Sequence, residues 1–307
     1  MKVTHSQRRT ELFRAIRIFL VFVFSFGGIL SAQQAVAESE APQVAPADDP
    51  QALYEKAMPL LSDPKNEEKI AEALLLLRTA AEKGYAPAEN SLGYVYDNGI
   101  GVPTDRGEAR KWFEKAATQG LAKAQFNYGR YLALGIGGDP DVEAGLATME
   151  KASSQGLMPA KMALAHIYYF GEYGQKADHE KAFPLYLAAA ESGDADAQNF
   201  VATMFAYGMG VKLNRSEAAK WYLMAAEQGH AKAQASIARC YLGGNGIKRD
   251  KVEAIKFYIL SAKQGEVTGA NPLEELMPNL DPKIIKEATK RAKQFRPKVR
   301  ATEVQKS

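Results

Sequence analysis

A repeat of 36 or 37 residues governs most of the chain. The same pattern begins at five alanines spaced 36, 36, 37 and 36 residues apart: Ala88, Ala124, Ala160, Ala197 and Ala233. A unit of this length contains one supersecondary element and cannot bury its apolar face alone, so neighbouring units must stack. The period therefore predicts a solenoid.

Each copy has the same internal order. An apolar stretch of 11 residues, such as "LGYVYDNGIGV" from Leu92, ends in a glycine cluster whose first glycine stands where a helix stops in the left-handed region. A small polar residue follows and can accept the free amide hydrogens of a second helix. These predicted N-caps are Asp105, Asp141, Asp178, Asn214 and Asp250. Each unit is thus predicted to be helix A, turn, helix B, turn.

Small residues recur where the two helices of a unit must meet. One position of helix A carries Gly93, Gly129, Ala165, Ala202 and Ala238. Small side chains let two helix backbones approach closely. Pro184 lies inside helix B of the third copy, and because proline removes an internal hydrogen bond we expect it to kink or delay that helix.

The segment "AENSLGYVYDNGIGVPTDRGEARKWFEKAATQGLAKAQ", from Ala88 to Gln125, resembles the Sel1-like repeat, a relative of the tetratricopeptide repeat. The resemblance covers five repeats over residues 88–268, although Thr148 and Met149 replace the usual aromatic residues in the second. On either side of these repeats, the resemblance implies an N-terminal cap and half-repeat (51–87) and C-terminal capping helices (269–296). It implies an all-α, right-handed α-solenoid that serves as a protein-binding scaffold with a concave groove.

The first 37 residues have the pattern of a signal peptide. Five basic residues precede an uncharged apolar run of 15 residues over 18–32, which is shorter than the roughly 20 needed to span a bilayer as a helix. Small residues ending at Ala37 suit a signal peptidase, with an uncleaved anchor as the alternative. We expect a periplasmic or secreted protein without an integral membrane span after cleavage, starting with an acidic flexible leader at 38–50.

The charge pattern argues against nucleic acid as a partner. The formal net charge of +3 arises from residues 1–37, because the remaining chain has 34 basic and 35 acidic residues. Residues 38–281 hold 25 basic and 33 acidic residues, whereas 282–307 hold nine basic and two acidic residues. This basic end, with a disordered tail at 297–307, is interpreted as a capping helix that complements an acidic array. Docking to an acidic partner or an anionic membrane surface is the alternative.

The groove residues follow from helix geometry. Positions two, six and ten after each starting alanine lie opposite the buried face of helix A. They are rich in aromatic and apolar groups around two arginines, a composition typical of a protein-binding surface. Rings that pack between repeats are the alternative. The predicted partner-binding residues are Tyr94, Phe126, Arg130, Met162, His166, Phe170, Thr203, Tyr207 and Arg239.

Catalysis has little support in the sequence. Ser62–Lys65 matches the S-x-x-K pattern of penicillin-recognising enzymes, so an envelope hydrolase or β-lactam-binding protein is the alternative function, but no S-D-N or K-T-G motif follows. The four histidines and the lone Cys240 form no close-spaced metal set, and Cys240 is expected to be buried. We predict no catalytic residues, no metal and no cofactor.

Overall fold

The computed structural model describes residues 49–63 and 65–298, and this part of the chain is all-α. It contains fourteen α-helices, a 3₁₀ turn at Met277–Asn279 and no strand. The helices are α1 (Pro50–Leu60), α2 (Glu67–Glu82), α3 (Ala86–Asn98), α4 (Arg106–Thr118), α5 (Ala122–Leu134), α6 (Val142–Ser154), α7 (Met158–Phe170), α8 (His179–Glu191), α9 (Ala195–Tyr207), α10 (Arg215–Glu227), α11 (Ala231–Gly243), α12 (Lys251–Lys263), α13 (Val267–Leu276) and α14 (Pro282–Gln294).

The helices stack in chain order. Consecutive helices from α1 to α13 pack against each other, and α14 returns onto α12. The core runs along the array and consists largely of alanines with interspersed larger side chains, such as Leu92, Leu164 and Ile237, each at most 2% exposed. The predicted solenoid is therefore confirmed.

The predicted start of each second helix and the predicted end of each first helix are both confirmed. The side chains of Asp105, Asp141, Asp178, Asn214 and Asp250 accept backbone N–H groups in the first turn of the second helix. The first glycine of every cluster ends the first helix with φ between 63° and 72°. The repeat is thus delimited by side-chain caps and by residues that tolerate the left-handed region.

The close approach of paired helices is sharpest in the second repeat. A Cβ placed on Gly129 of α5 would lie 2.7 Å from the carbonyl oxygen of Gly145 in α6, and a Cβ on Gly145 would lie 2.7 Å from that of Gly129. Pro184 does not delay its helix, because α8 begins directly after its cap Asp178, as its counterparts do. The cap fixes the start of the helix, and Pro184 enters only in the second turn.

Amide side chains also join the repeats. In the last repeat, Gln264 donates to Gln234 (2.9 Å), and Gln234 donates to the carbonyl of Ala226 in the preceding repeat (3.2 Å). The same arrangement recurs at Gln155–Gln125 and Gln228–Gln198. We call these contacts the glutamine ladder. They satisfy polar groups that are buried between helices.

The ends of the array differ from two predicted boundaries. Helix α1 begins at Pro50, within the expected flexible leader, because Asp49 caps Gln51 N–H and a proline suits the first helical position. Lys298, within the expected disordered tail, donates to Glu227 through its backbone N–H and its ammonium, each at 2.8 Å. Arg291 of α14 pairs with Glu253 of α12 at 2.8 Å, so the basic helix docks on an acidic neighbour.

None of the helices in the described residues has the length and apolar character that crossing a membrane requires.

Candidate functional site: the face of the first helices

The first helices of the five full repeats, α3, α5, α7, α9 and α11, share one face that carries exposed apolar groups. Positions six and ten after each starting alanine are one helical turn apart, so they point to the same side. Tyr94 is 56% exposed, Phe170 56% and Tyr207 69%, and Leu134 adds a further 46% exposed side chain. We call these four residues the exposed strip. One such side chain is thus exposed on the first helix of each of the first four repeats, on the corresponding face.

The remaining predicted residues divide into two groups. Arg130 and Arg239 are exposed, whereas Phe126, Met162, His166 and Thr203 are half-buried. Phe126 and Met162 pack against the core of the second to fourth repeats. The strip therefore rests on a row of side chains that also hold adjacent repeats together.

A cluster of rings supports the middle of the strip. His166 stacks on Phe170, with ring centroids 5.8 Å apart, and lies edge-on to Phe200 at 5.1 Å. Phe200 in turn stacks on Tyr186 at 4.5 Å, and Tyr169 contacts Phe170 at 4.8 Å. His166 thus sits among aromatic rings, which is a packing role.

One cavity lies between α9, α10 and α11, with a volume of about 440 Å³. The predicted residues Tyr207 and Arg239 line it together with Leu213, Arg215 and Asn245. These last three lie in or beside the turns between helices, which the helical face pattern did not cover. For Leu213 and Arg215 the sequence did offer an indication, because a large apolar or cationic residue stands at a turn position.

Hydrogen bonds link side chains in and beside the cavity. Thr203 Oγ1 and Tyr222 Oη are 2.9 Å apart, and Arg239 donates from Nη2 to Ser236 Oγ at 3.1 Å. Cys240 also lines the cavity and is half-buried rather than buried as expected. Burial raises the pKa of its thiol, so at neutral pH it is not an activated thiolate.

Ser62, the serine of the S-x-x-K pattern, lies in the turn after α1. The Ser62 hydroxyl donates to the carbonyl of Pro59 at 2.6 Å. Across residues 49–63 and 65–298 there is no group of three histidine, cysteine or acidic side chains that could hold a metal ion.

The fold and this face define a class of protein. It is an α-solenoid whose candidate site is the face of its first helices. The model of the Sel1 repeat matches residues 63–85, 86–121, 122–157, 159–194, 195–230 and 231–266, more than half of the chain. The chain belongs to the Sel1 repeat family. Proteins of this family generally act as protein–protein interaction scaffolds.

Solved structures with the same fold include a Sel1 repeat protein from Oxalobacter formigenes. It is 31% identical, the match covers 77% of this chain and 96% of that protein, and the TM-score is 0.60. A protective antigen of uropathogenic Escherichia coli that displays an SLR fold is 25% identical, with coverage of 80% and 61% and a TM-score of 0.52.

A curated relative, a chitin synthase regulator of Malassezia restricta, is 50% identical over 44 residues. That segment is 14% of this chain and spans only 3% of the relative's length.

Proposed function

We propose that this protein is an exported scaffold that binds a protein or peptide partner along the face of its first helices. The observation that carries the proposal is the exposed strip, with side chains 46–69% exposed on successive repeats. Aromatic and aliphatic groups held on rigid helices supply contact area at low entropic cost, as interaction hot spots do. Regulation of a signalling protein or assembly of the cell envelope are the roles that suit such a scaffold.

The relatives support a binding role. One matched segment comes from a protein named as a regulator of an enzyme, and the Sel1 repeat protein from Oxalobacter formigenes shares the array over most of its length. Export is proposed from residues 1–37, which lie outside the described residues. Cell fractionation with N-terminal sequencing of the mature protein tests it, with a new terminus near Glu38 as the expected result.

The binding proposal is tested by affinity purification from the native organism with a triple variant, Tyr94→Ala, Phe170→Ala and Tyr207→Ala. We expect partners captured by the wild type to be lost, because the contact area is removed while the half-buried row beneath it stays. The matched control is Leu75→Ala with Val267→Ala, which removes two exposed apolar side chains outside the strip (49% and 63% exposed). Partners retained by the triple variant, or lost equally by the control, would contradict the proposal.

A nitrocefin assay with an active-serine probe tests the enzymatic alternative. Since Ser62 is engaged with the Pro59 carbonyl, we expect neither turnover nor labelling. Covalent labelling of Ser62 would overturn the scaffold proposal in favour of a β-lactam-binding protein.

The basic end carries the proposal of a weak contact with an acidic partner or an anionic membrane surface. Lys290 and Lys293 are exposed on α14, while the neighbouring Arg291 is engaged with Glu253. Charge reversal at both lysines leaves that ion pair in place, and we expect it to reduce the membrane-associated fraction of the protein. If the membrane-associated fraction is unchanged, the role of α14 is to cap the array and not to contact a membrane.

A further inference from the structure

The cavity beside Tyr207 has an uncompensated positive charge. Two arginines line it, Arg215 at the start of α10 and Arg239 in α11, and none of its lining residues is acidic. Both side chains are exposed, and neither forms an ion pair with a carboxylate among residues 49–63 and 65–298. Arg239 uses one nitrogen on Ser236 Oγ and keeps its other donors available.

The charge of the cavity contrasts with that of the surrounding array. Residues 38–281 have an excess of acidic over basic residues, 33 against 25. Some other cationic side chains of the array form ion pairs, including Arg106 with Asp97, Lys220 with Glu217 and Lys256 with Glu253. The two arginines therefore give this cavity a local positive charge on an array that is acidic as a whole.

The same cavity also has apolar lining residues. Tyr207 and Leu213, 69% and 50% exposed, line it with the two arginines, and Ala206 and Ala218 add further apolar lining. The occupant must therefore combine an anionic group with an apolar one at short spacing. Because the two arginines belong to different helices, a segment with more than one carboxylate suits them better than a single chain terminus does.

We propose that the cavity binds an extended acidic segment of a partner protein, in which aspartate or glutamate side chains pair with Arg215 and Arg239 and a neighbouring apolar side chain packs on Tyr207 and Leu213. Guanidinium groups bind carboxylates through paired, charge-assisted hydrogen bonds, which gives both affinity and direction. The inference rests on the proposed function and specifies the chemistry of the partner at one end of the exposed strip.

The test uses a random peptide library displayed on phage as N-terminal fusions, so that no peptide has a free carboxyl terminus. Selection on the full-length chain is expected to enrich peptides with aspartate or glutamate next to leucine, phenylalanine or a similar apolar residue. Enriched sequences, made as amidated synthetic peptides, are then measured by fluorescence anisotropy. The variants are Arg215→Gln with Arg239→Gln, and the control Lys248→Gln with Arg249→Gln.

The control removes the same charge from an exposed turn that does not line the cavity. We expect the Arg215→Gln, Arg239→Gln variant to bind at least about tenfold more weakly, and the control to stay within about twofold of the wild type. Wild-type affinity should also decrease with NaCl more steeply than that of the arginine variant. Both variants change exposed side chains, so thermal melting by circular dichroism should match the wild type.

Peptides without acidic residues, or acidic peptides that bind the arginine variant as well as the wild type, would overturn this inference alone. Binding that persists in the Tyr94→Ala, Phe170→Ala, Tyr207→Ala variant would instead contradict the proposed function. A selection that enriches no peptide counts against both.

Discussion

Glu89 occupies a position where three other repeats carry glutamine. Gln125, Gln198 and Gln234 accept a hydrogen bond from the residue that follows the second helix, and Glu89 accepts the equivalent bond from Gln119 at 2.7 Å. Its side chain is only 4% exposed, and burial raises the pKa of its carboxyl against the opposing effects of Gln119 and Lys115. A charge thus stands where the glutamine ladder elsewhere has a neutral amide.

We predict that Glu89→Gln stabilises the protein at pH 7 by about 1 kcal/mol, because it removes a buried charge and keeps the acceptor for Gln119. A pKa that is higher in the folded than in the unfolded chain makes the wild type lose stability as pH rises through that range. The difference between variant and wild type should therefore vanish below the ordinary glutamate pKa of about 4.3. Urea unfolding at pH 7 and pH 3.5 measures it.

The reverse substitution, Gln125→Glu, is the matched control. It should destabilise the protein at pH 7, because it buries a charge and removes the donor to Ala117. If Glu89→Gln gave the same gain at both pH values, ionisation of Glu89 would not be its cause.

At the scale of elements, the second glycine of the second, fourth and fifth clusters lies against the backbone of the repeat before it. Gly137, Gly210 and Gly246 lie against the carbonyl of the first residue in the second helix of the preceding repeat, respectively Arg106, His179 and Arg215. A Cβ at Gly246 would lie 1.9 Å from that oxygen. These three clusters are therefore contact points between repeats as well as helix ends.

We predict that Gly246→Ala destabilises the protein by at least about 2 kcal/mol more than Gly265→Ala. Both glycines have positive φ, 74° and 78°, so both substitutions pay the same backbone cost of about 1 kcal/mol. Only Gly246 has an atom in the way, since nothing lies within 4 Å of a Cβ at Gly265. Chemical denaturation midpoints compare the two, and equal losses would show that backbone conformation alone requires the glycine.

At the scale of the whole molecule, stability depends on contacts between neighbours in the stack, and its last unit needs a cover. Helix α14 supplies that cover by burying Ala288 and Ala292 in the core shared with α10, α11 and α12. Arg291 adds ion pairs to Glu253 and Glu287 at 2.8 Å each. The acidic array and its basic end are thus joined within one structure.

We predict that Arg291→Glu lowers stability by about 1 kcal/mol, whereas Lys290→Glu leaves it within about 0.5 kcal/mol. The first reversal places three carboxylates together, and the second changes an exposed residue. Hydrogen exchange followed by mass spectrometry should show faster exchange in α12 and α14, with α3 to α6 unchanged, because coupling extends mainly to adjacent units. Uniform acceleration along the chain would mean that the array unfolds as one unit.

Much of the fold was predictable because its determinants are local. Caps such as Asp105 and helix-ending glycines such as Gly99 act within a few residues, so their spacing predicts the order of helices directly. The glutamine ladder was not predicted. Its partners are 30 residues apart, and a buried glutamine cannot be told from an exposed one by residue type.

The helix face of the candidate site could be predicted from the sequence, whereas the exposure of individual rings on it could not. Helical periodicity identified the face that carries Tyr94, Phe170 and Tyr207, since positions one turn apart share a side. It could not separate these exposed rings from Phe126 and His166, because exposure depends on what the next repeat places above each ring.

By itself, the sequence determined the family, the repeat, the helix ends and the face of the first helices, all of which follow from periodic and short-range interactions. Only the tertiary structure decided which rings are exposed, how Arg215 and Arg239 come to one cavity and how Glu253 receives Arg291. The physical reason is that these depend on the rotation and spacing between successive repeats. That geometry is set by the packing of many small side chains together, and no single stretch of residues carries it.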